Sequence, residues 1–143
     1  MRRAEIVRAA RSWIGTPYRH QASLQGVGCD CLGLLRGVWR DVVGAEPERP
    51  PAYSRDWAEA SGHEALIEAA MRHLVPVPDG VAEPGNVLLF RWRDHLPAKH
   101  CAIATGEGTM VHAHEGAAVA EVAIAPWWDR HLAGVFSLPG AEP

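Results

Sequence analysis

The chain has 143 residues, 48% of them hydrophobic and 22% charged, with a net charge of −3 at pH 7. That length supports one domain over residues 1–143 with a core that needs no disulfide staples, and the composition excludes a disordered chain. The acidic balance offers nothing to nucleic acid, and no apolar run reaches the length of a membrane span, so neither partner is expected.

Arg2 and Arg3 open the chain, and no apolar signal region follows them. The reading is therefore a protein made in the cytoplasm without a signal peptide. Ile6, Val7, Ala10 and Ile14 recur at helical spacing and predict an amphipathic helix over 4–14, ended by Gly15 and Pro17. Tyr18 lies just beyond it, at the head of a loop over 19–28 rich in Gln, Ser and Gly.

The next stretch is Gly28-Cys29-Asp30-Cys31-Leu32-Gly33-Leu34-Leu35. It opens onto Leu32, Leu34, Leu35, Val38, Trp39 and Val42, which predict a helix from about Cys31 to Val43, stopped at Gly44. Cys31 then sits in the first helical turn, with Asp30 or Cys29 near the N-cap. Unpaired N–H groups and the positive end of the helix dipole favour a thiolate there. A lone cysteine before an apolar helix is more often core, so the reading depends on its companions. The three cysteines, at 29, 31 and 101, are odd in number, and the first two stand too close for an ordinary bridge. Reduced thiols are expected.

Pro47, Pro50 and Pro51 mark 44–56 as a surface connection. A third helix is predicted over 57–74, with His63 and His73 as solvated helix residues. After Val75-Pro76-Val77-Pro78 the pattern turns strand-like, with strands expected at 86–92, 100–105, 109–114, 118–123 and 133–138. Gly106-Glu107-Gly108 fits a tight hairpin and Glu115-Gly116 another, while 139–143 should fray. Helices first and antiparallel strands second make an α+β domain.

If 106–108 closes a hairpin, alternation puts His100, Ala102 and Ala104 on one face and Cys101 and Ile103 on the other. Counting out from the turn brings His100 to His112 across the ladder. Two neighbouring imidazoles facing a helix that starts with cysteine form a Cys–His–His arrangement. The first takes the thiol proton and the second fixes its tautomer. His114 shares the face of His112 and either lines the cleft or is solvated. Trp127 and Trp128 read as core or interface.

Cys29, Cys31, His100, Cys101, His112 and His114 include enough ligands for zinc. The Cys-x-Cys gap is wrong for common zinc sites, however, and alternation points Cys101 away from His100. No metal and no cofactor is expected.

Gly15-Thr16-Pro17-Tyr18 followed by Asp30-Cys31-x-Gly33-Leu34 resembles the first half of the NlpC/P60 signature. Pro84-Gly85-Asn86-Val87-Leu88-Leu89-Phe90, His100-x-x-Ile103 and Val111-His112-Ala113 resemble its second half, in the right order. The resemblance implies a papain-like cysteine peptidase fold, N-terminal helices packed on a mostly antiparallel C-terminal sheet. It also implies a substrate, the stem peptides of bacterial peptidoglycan, cut near D-glutamate and diaminopimelate through a thioester. Carried over by residue, it makes Cys31 the nucleophile, His100 the base and His112 the orienting residue. Tyr18 helps hold the oxyanion, and Asp30 meets the amine end of the stem peptide or caps the helix.

The bare single-domain form looks most like peptidases of phage tails and gene transfer agents, which implies tail-tip proteins as partners and a place in a phage-like particle. Alternatives are a non-catalytic tail-tip module of the same fold and a thiol amidase or acyltransferase. Leu32 stands where the family commonly has Ser, His20-Gln21 where it has Gly-Gly, Asn86 for Asp and Cys101 for Val. None removes a proton-transfer group, so these departures bear on substrate preference.

Overall fold

The structure is a computed structural model that describes residues 1–50 and 63–143. Helix α1 spans Arg3–Arg11, and Glu5 accepts the Arg2 backbone N–H at 2.6 Å to close its first turn. Ile6, Val7 and Ala10 are buried as the periodicity demands, but the helix stops at Arg11, short of residue 14. The phase changes there. Trp13 enters the core at 2% exposure while Ile14 turns out to 46%. The Trp13 indole N–H donates to Asp41 of the next helix at 3.2 Å, which ties the two helices together.

A short hairpin, β1 (Ser23–Leu24) and β2 (Gly28–Cys29), leads into α2, Cys31–Val42. Helix α3 covers Ala65–His73, and the first residues of the helix predicted over 57–74 lie outside the described residues, as does 51–56 of the preceding connection. The strands follow: β3 (Val75–Pro76), β4 (Val87–Phe90), β5 (His100–Gly106), β6 (Thr109–His112), β7 (Ala120–Ala123) and β8 (Leu132–Ser137). Between the last two lies a short helix, α4 (Pro126–Arg130), which the sequence pattern did not announce.

The strands join in one antiparallel sheet of order β3-β8-β4-β5-β6-β7. β4 pairs β5 in unbroken register, Phe90 opposite His100 and Leu89 opposite Cys101. The Glu107-Gly108 turn joins β5 to β6 with Ile103 opposite Val111, as the hairpin reading requires.

Alternation sorts the side chains into two layers. Val87, Leu89, Cys101, Ile103 and Val111 pack under Ile6, Ala10, Leu34 and Val38 of the helices. Leu88, Phe90, Ala102, Ala104 and Met110 form a smaller cluster on the opposite face, covered by Trp128 and Leu132. Residues 139–143, expected to fray, are instead tied to the N-terminus. The Arg3 N–H donates to the Glu142 carbonyl at 2.8 Å and the Glu142 N–H to the Met1 carbonyl at 2.9 Å.

Candidate active site

Helix α2 starts where its cap dictates. Asp30 is the N-cap and is 3% exposed, its Oδ1 accepting the Gly33 N–H at 2.7 Å and its Oδ2 the Gln21 N–H at 2.7 Å. One carboxylate therefore fixes both the helix start and the loop that follows Tyr18. Gly33 is required for the same reason, since a Cβ there would lie 1.8 Å from the Ala22 carbonyl oxygen. Upstream, Gly15 takes a φ of +92°, a backbone only glycine adopts readily, and so turns the chain from α1 towards Tyr18.

Cys31, the first residue of α2, is half-buried against the beginning of β5. Its Sγ lies 3.8 Å from the Lys99 carbonyl oxygen, with the Cys101 thiol and the His100 ring near enough to act on it. The Cys101 hydrogen bond and then that of His100, with its charge, hold the Cys31 thiol well below the usual range despite burial. Cys29, fully buried in β2, is pushed up to about 12 by burial and by the charges of Asp30 and Cys31.

His100 and His112 are both buried, at 3% and 7% exposure, with His100 Nε2 3.0 Å from His112 Nδ1 and the rings near perpendicular at 80°. Burial, followed by the neighbouring His100 and His114, pulls His112 down to about 4. A neutral His112 can accept at Nδ1, so the geometry assigns the proton of this bond to His100 Nε2 and leaves its Nδ1 for the thiol. Aromatic rings wall the pair. Trp92 and Trp128 each stack on His100 with centroids 5.4 Å away, and Trp128 presents its edge to His112 at 5.2 Å.

The cleft in front of this group has a volume of about 240 Å³ and is lined by Tyr18, Asp30, Cys31 and His100 together with Trp92, Lys99, His114 and Glu115. Four of the five sequence-predicted residues thus share one cavity, while His112 stands behind His100. His114 is exposed at the rim and lies parallel to His112, with centroids 5.8 Å apart and an interplanar angle of 12°. A more apolar hollow of about 320 Å³ between α2 and α3 holds none of the predicted site residues.

Cys101 does point away from the face that carries His100, as alternation demands, but α2 covers the face it points into. Its thiol donates to the Cys31 carbonyl at 3.2 Å, so it belongs to the site neighbourhood after all. Trp92, Lys99 and Glu115 were missed as cleft residues. Lys99 directly before His100 and Glu115 directly after His114 were the available signals; Trp92 carried none beyond its place at a strand end. The loop 91–99 is fastened by Glu64, which accepts from the Ala98 N–H at 2.8 Å and pairs with Arg91 at 3.0 Å. Asn86, where Asp is frequent, uses Oδ1 to accept the Glu83 N–H at 2.8 Å and so shapes the turn into β4.

Helices laid on an antiparallel sheet, with a helix-start cysteine against a strand histidine, define a papain-like α+β fold. The chain belongs to the NlpC/P60 family, whose sequence profile matches residues 15–137. It is similar to the NlpC/p60 domain of the peptidoglycan hydrolase SagA, at 24% identity over 96% of this chain and 100% of that one, with a TM-score of 0.67. An NlpC/P60 family protein from Bacillus cereus ATCC 10987 aligns at 19% identity over 94% of this chain, TM-score 0.67, but this chain spans only 39% of its length. A lipoprotein-like NLP/P60 protein from Staphylococcus aureus subsp. aureus Mu50 gives 18% identity over 95% of this chain and 41% of that one, TM-score 0.62. A search of curated protein sequences returns no significant match.

Proposed function

We propose that this domain is a cysteine peptidase that hydrolyses stem-peptide bonds of bacterial peptidoglycan. The observation that carries the reading is the line Cys31–His100–His112: a depressed thiol at a helix start, an imidazole in contact with it, and a second imidazole 3.0 Å behind. Family membership and the likeness to a peptidoglycan hydrolase domain support the substrate class.

In this reading the Cys31 thiolate attacks the scissile carbonyl carbon. The Cys31 backbone N–H and the Tyr18 hydroxyl receive the developing oxyanion at the positive end of α2. His100, protonated by the thiol, passes its proton from Nδ1 to the leaving amine, and a thioester remains on Cys31. Water then attacks the thioester with His100 as base and regenerates the thiol. His112 stays neutral throughout and accepts from His100 Nε2–H, which keeps Nδ1 aimed at the sulfur. Lys99 and Glu115 place both signs of charge on the cleft wall, which suits a peptide bearing free carboxylates and amines. One Asp30 oxygen caps the helix and the other holds the Gln21 N–H, and its edge on the cleft leaves it to meet the substrate amine by charge.

Digestion of purified peptidoglycan followed by mass analysis of the fragments tests the reading. Expected are stem peptides cut at one bond, near D-glutamate and diaminopimelate, and none with Cys31→Ala. Release of whole stem peptides from the glycan would show an amidase, and an unchanged wall would favour a non-catalytic module. We also propose that a phage-like tail carries the domain to the wall, a reading supported by the sequence resemblance alone. Co-sedimentation of the chain with purified tail proteins is the expected result, and absence from intact particles would overturn it.

A further inference from the structure

Cys101 makes and breaks no bond in the proposed hydrolysis, yet its thiol lies against the residue that carries the nucleophile. It follows His100 in β5, is 1% exposed, and lies on the face that α2 covers. Its Sγ is 3.2 Å from the Cys31 carbonyl oxygen, and the two thiols influence each other electrostatically. Cys29 is also buried, but it stands two residues before Cys31 on the same chain segment, too close along the backbone for an unstrained bridge. All three thiols are free.

We propose that Cys31 and Cys101 form a reversible disulfide when the protein meets a peroxide, so that the pair is a redox modification site closing off the cleft nucleophile. The proposal rests on a thiolate at Cys31, and not on which bond the domain cleaves. The Cys31 thiolate attacks one oxygen of hydrogen peroxide and the O–O bond breaks. The departing hydroxide takes a proton from imidazolium His100 and leaves as water, with sulfenic acid on Cys31. The Cys101 sulfur then attacks the Cys31 sulfur. An S–S bond forms, the S–O bond breaks, and hydroxide leaves with the Cys101 proton as a second water. Sulfur gives up two electrons and the peroxide accepts them.

The order of events follows from the environments. Cys31 is the thiol held low, faces the cleft and reacts first. Cys101 is pushed up by its hydrogen bond to Cys31, by burial and by the Cys31 charge. Oxidation of Cys31 to a neutral sulfenic acid removes that charge, so the second thiol is released for attack only once the first has been oxidised. The buried partner then spares Cys31 the irreversible step to sulfinic acid.

The test treats the whole protein with hydrogen peroxide, alkylates it under denaturing conditions, and maps the cysteines by mass. Expected are a Cys31–Cys101 cross-linked peptide lacking two hydrogens, alkylation at Cys29 alone, and return of all three alkylation sites after dithiothreitol. Cys101→Ser, and Cys101→Val in case a polar residue unsettles the packing, should instead accumulate sulfinic acid on Cys31 that dithiothreitol does not reverse. Sulfinic acid on wild-type Cys31 with Cys101 still alkylated would overturn the proposal, as would a bridge to Cys29 or an unreacted Cys31. These readouts are masses, so they hold whether or not peptidoglycan is cut.

Discussion

Cys29 and Cys31 are separated by one residue and by opposite electrostatics. Burial and two neighbouring acids hold Cys29 as a thiol, whereas Cys31 meets hydrogen-bond donors and the start of a helix. Iodoacetamide at neutral pH should therefore label Cys31 well ahead of Cys29 and Cys101, and the labelling should persist below the free-thiol pKa of about 8.5. Cys31→Ala should lower hydrolysis by on the order of a thousandfold or more, while Cys29→Ala keeps the activity. Labelling that titrates like free cysteine would remove the case for an activated thiolate. His112 yields a second prediction with a definite sign. Its folded pKa, about 4, lies below the unfolded value of 6.5, so the unfolded chain binds the proton first as pH falls. The stability contributed by the neutral buried ring is complete above about 6.5, is lost between 6.5 and 4, and falls no further below about 4. Denaturant unfolding of wild type across that window should show the decline, and His112→Phe should flatten it. In hydrolysis His100→Ala should be at least as damaging as His112→Ala, because a base moves the proton that an orienting residue only aims.

At the scale of elements, the short helix α4 delivers Trp128 to a stack with His100 and an edge contact with His112. Trp128→Ala opens that wall to water and removes part of the burial that keeps His112 neutral. We expect kcat to fall by roughly tenfold, with the acidic limb of the rate profile moving to higher pH, and Trp128→Phe to restore most of both. A uniform loss of activity with an unmoved profile would reduce Trp128 to plain packing. This element also shows where reading the sequence stops. The start of α2 was legible because cap, dipole and apolar period coincide at Asp30–Leu34, and the His100–His112 pair because a hairpin and strict alternation determine a register. Alternation names the face a side chain takes, but not what covers that face. Cys101 therefore looked remote until α2 lay over it, and Trp128, read as core or interface, does pack on the second cluster but also walls the histidine pair, which α4 alone makes visible. Ile14 failed for a related reason, since a helix that ends three residues earlier exchanges it for Trp13.

At the scale of the whole fold, residues 1–3 and 140–142 are hydrogen-bonded to one another. The chain begins at α1, which packs on the helical face of the sheet, and residues 138–142 return from β8 to the same place. There the Arg3 N–H donates to the Glu142 carbonyl at 2.8 Å, the Glu142 N–H donates to the Met1 carbonyl at 2.9 Å, and the terminal amine donates to the Gly140 carbonyl at 3.3 Å. Ala141 packs against the main core beside Leu138, so the last turn adds apolar contact as well as hydrogen bonds. This clasp lies outside the cleft lining, and α1 is joined to the sheet at its far end by Arg11, which pairs with Glu121 of β7 at 2.9 Å. Removing residues 140–143 should then act on stability and leave the chemistry intact. Each lost backbone hydrogen bond is worth about 1 kcal/mol net, so the truncated chain should unfold about 1–3 kcal/mol more easily in urea. Its kcat at low temperature should match that of the full chain. A truncation that left the urea midpoint unchanged would show that the two ends are held independently and that the sheet alone positions α1.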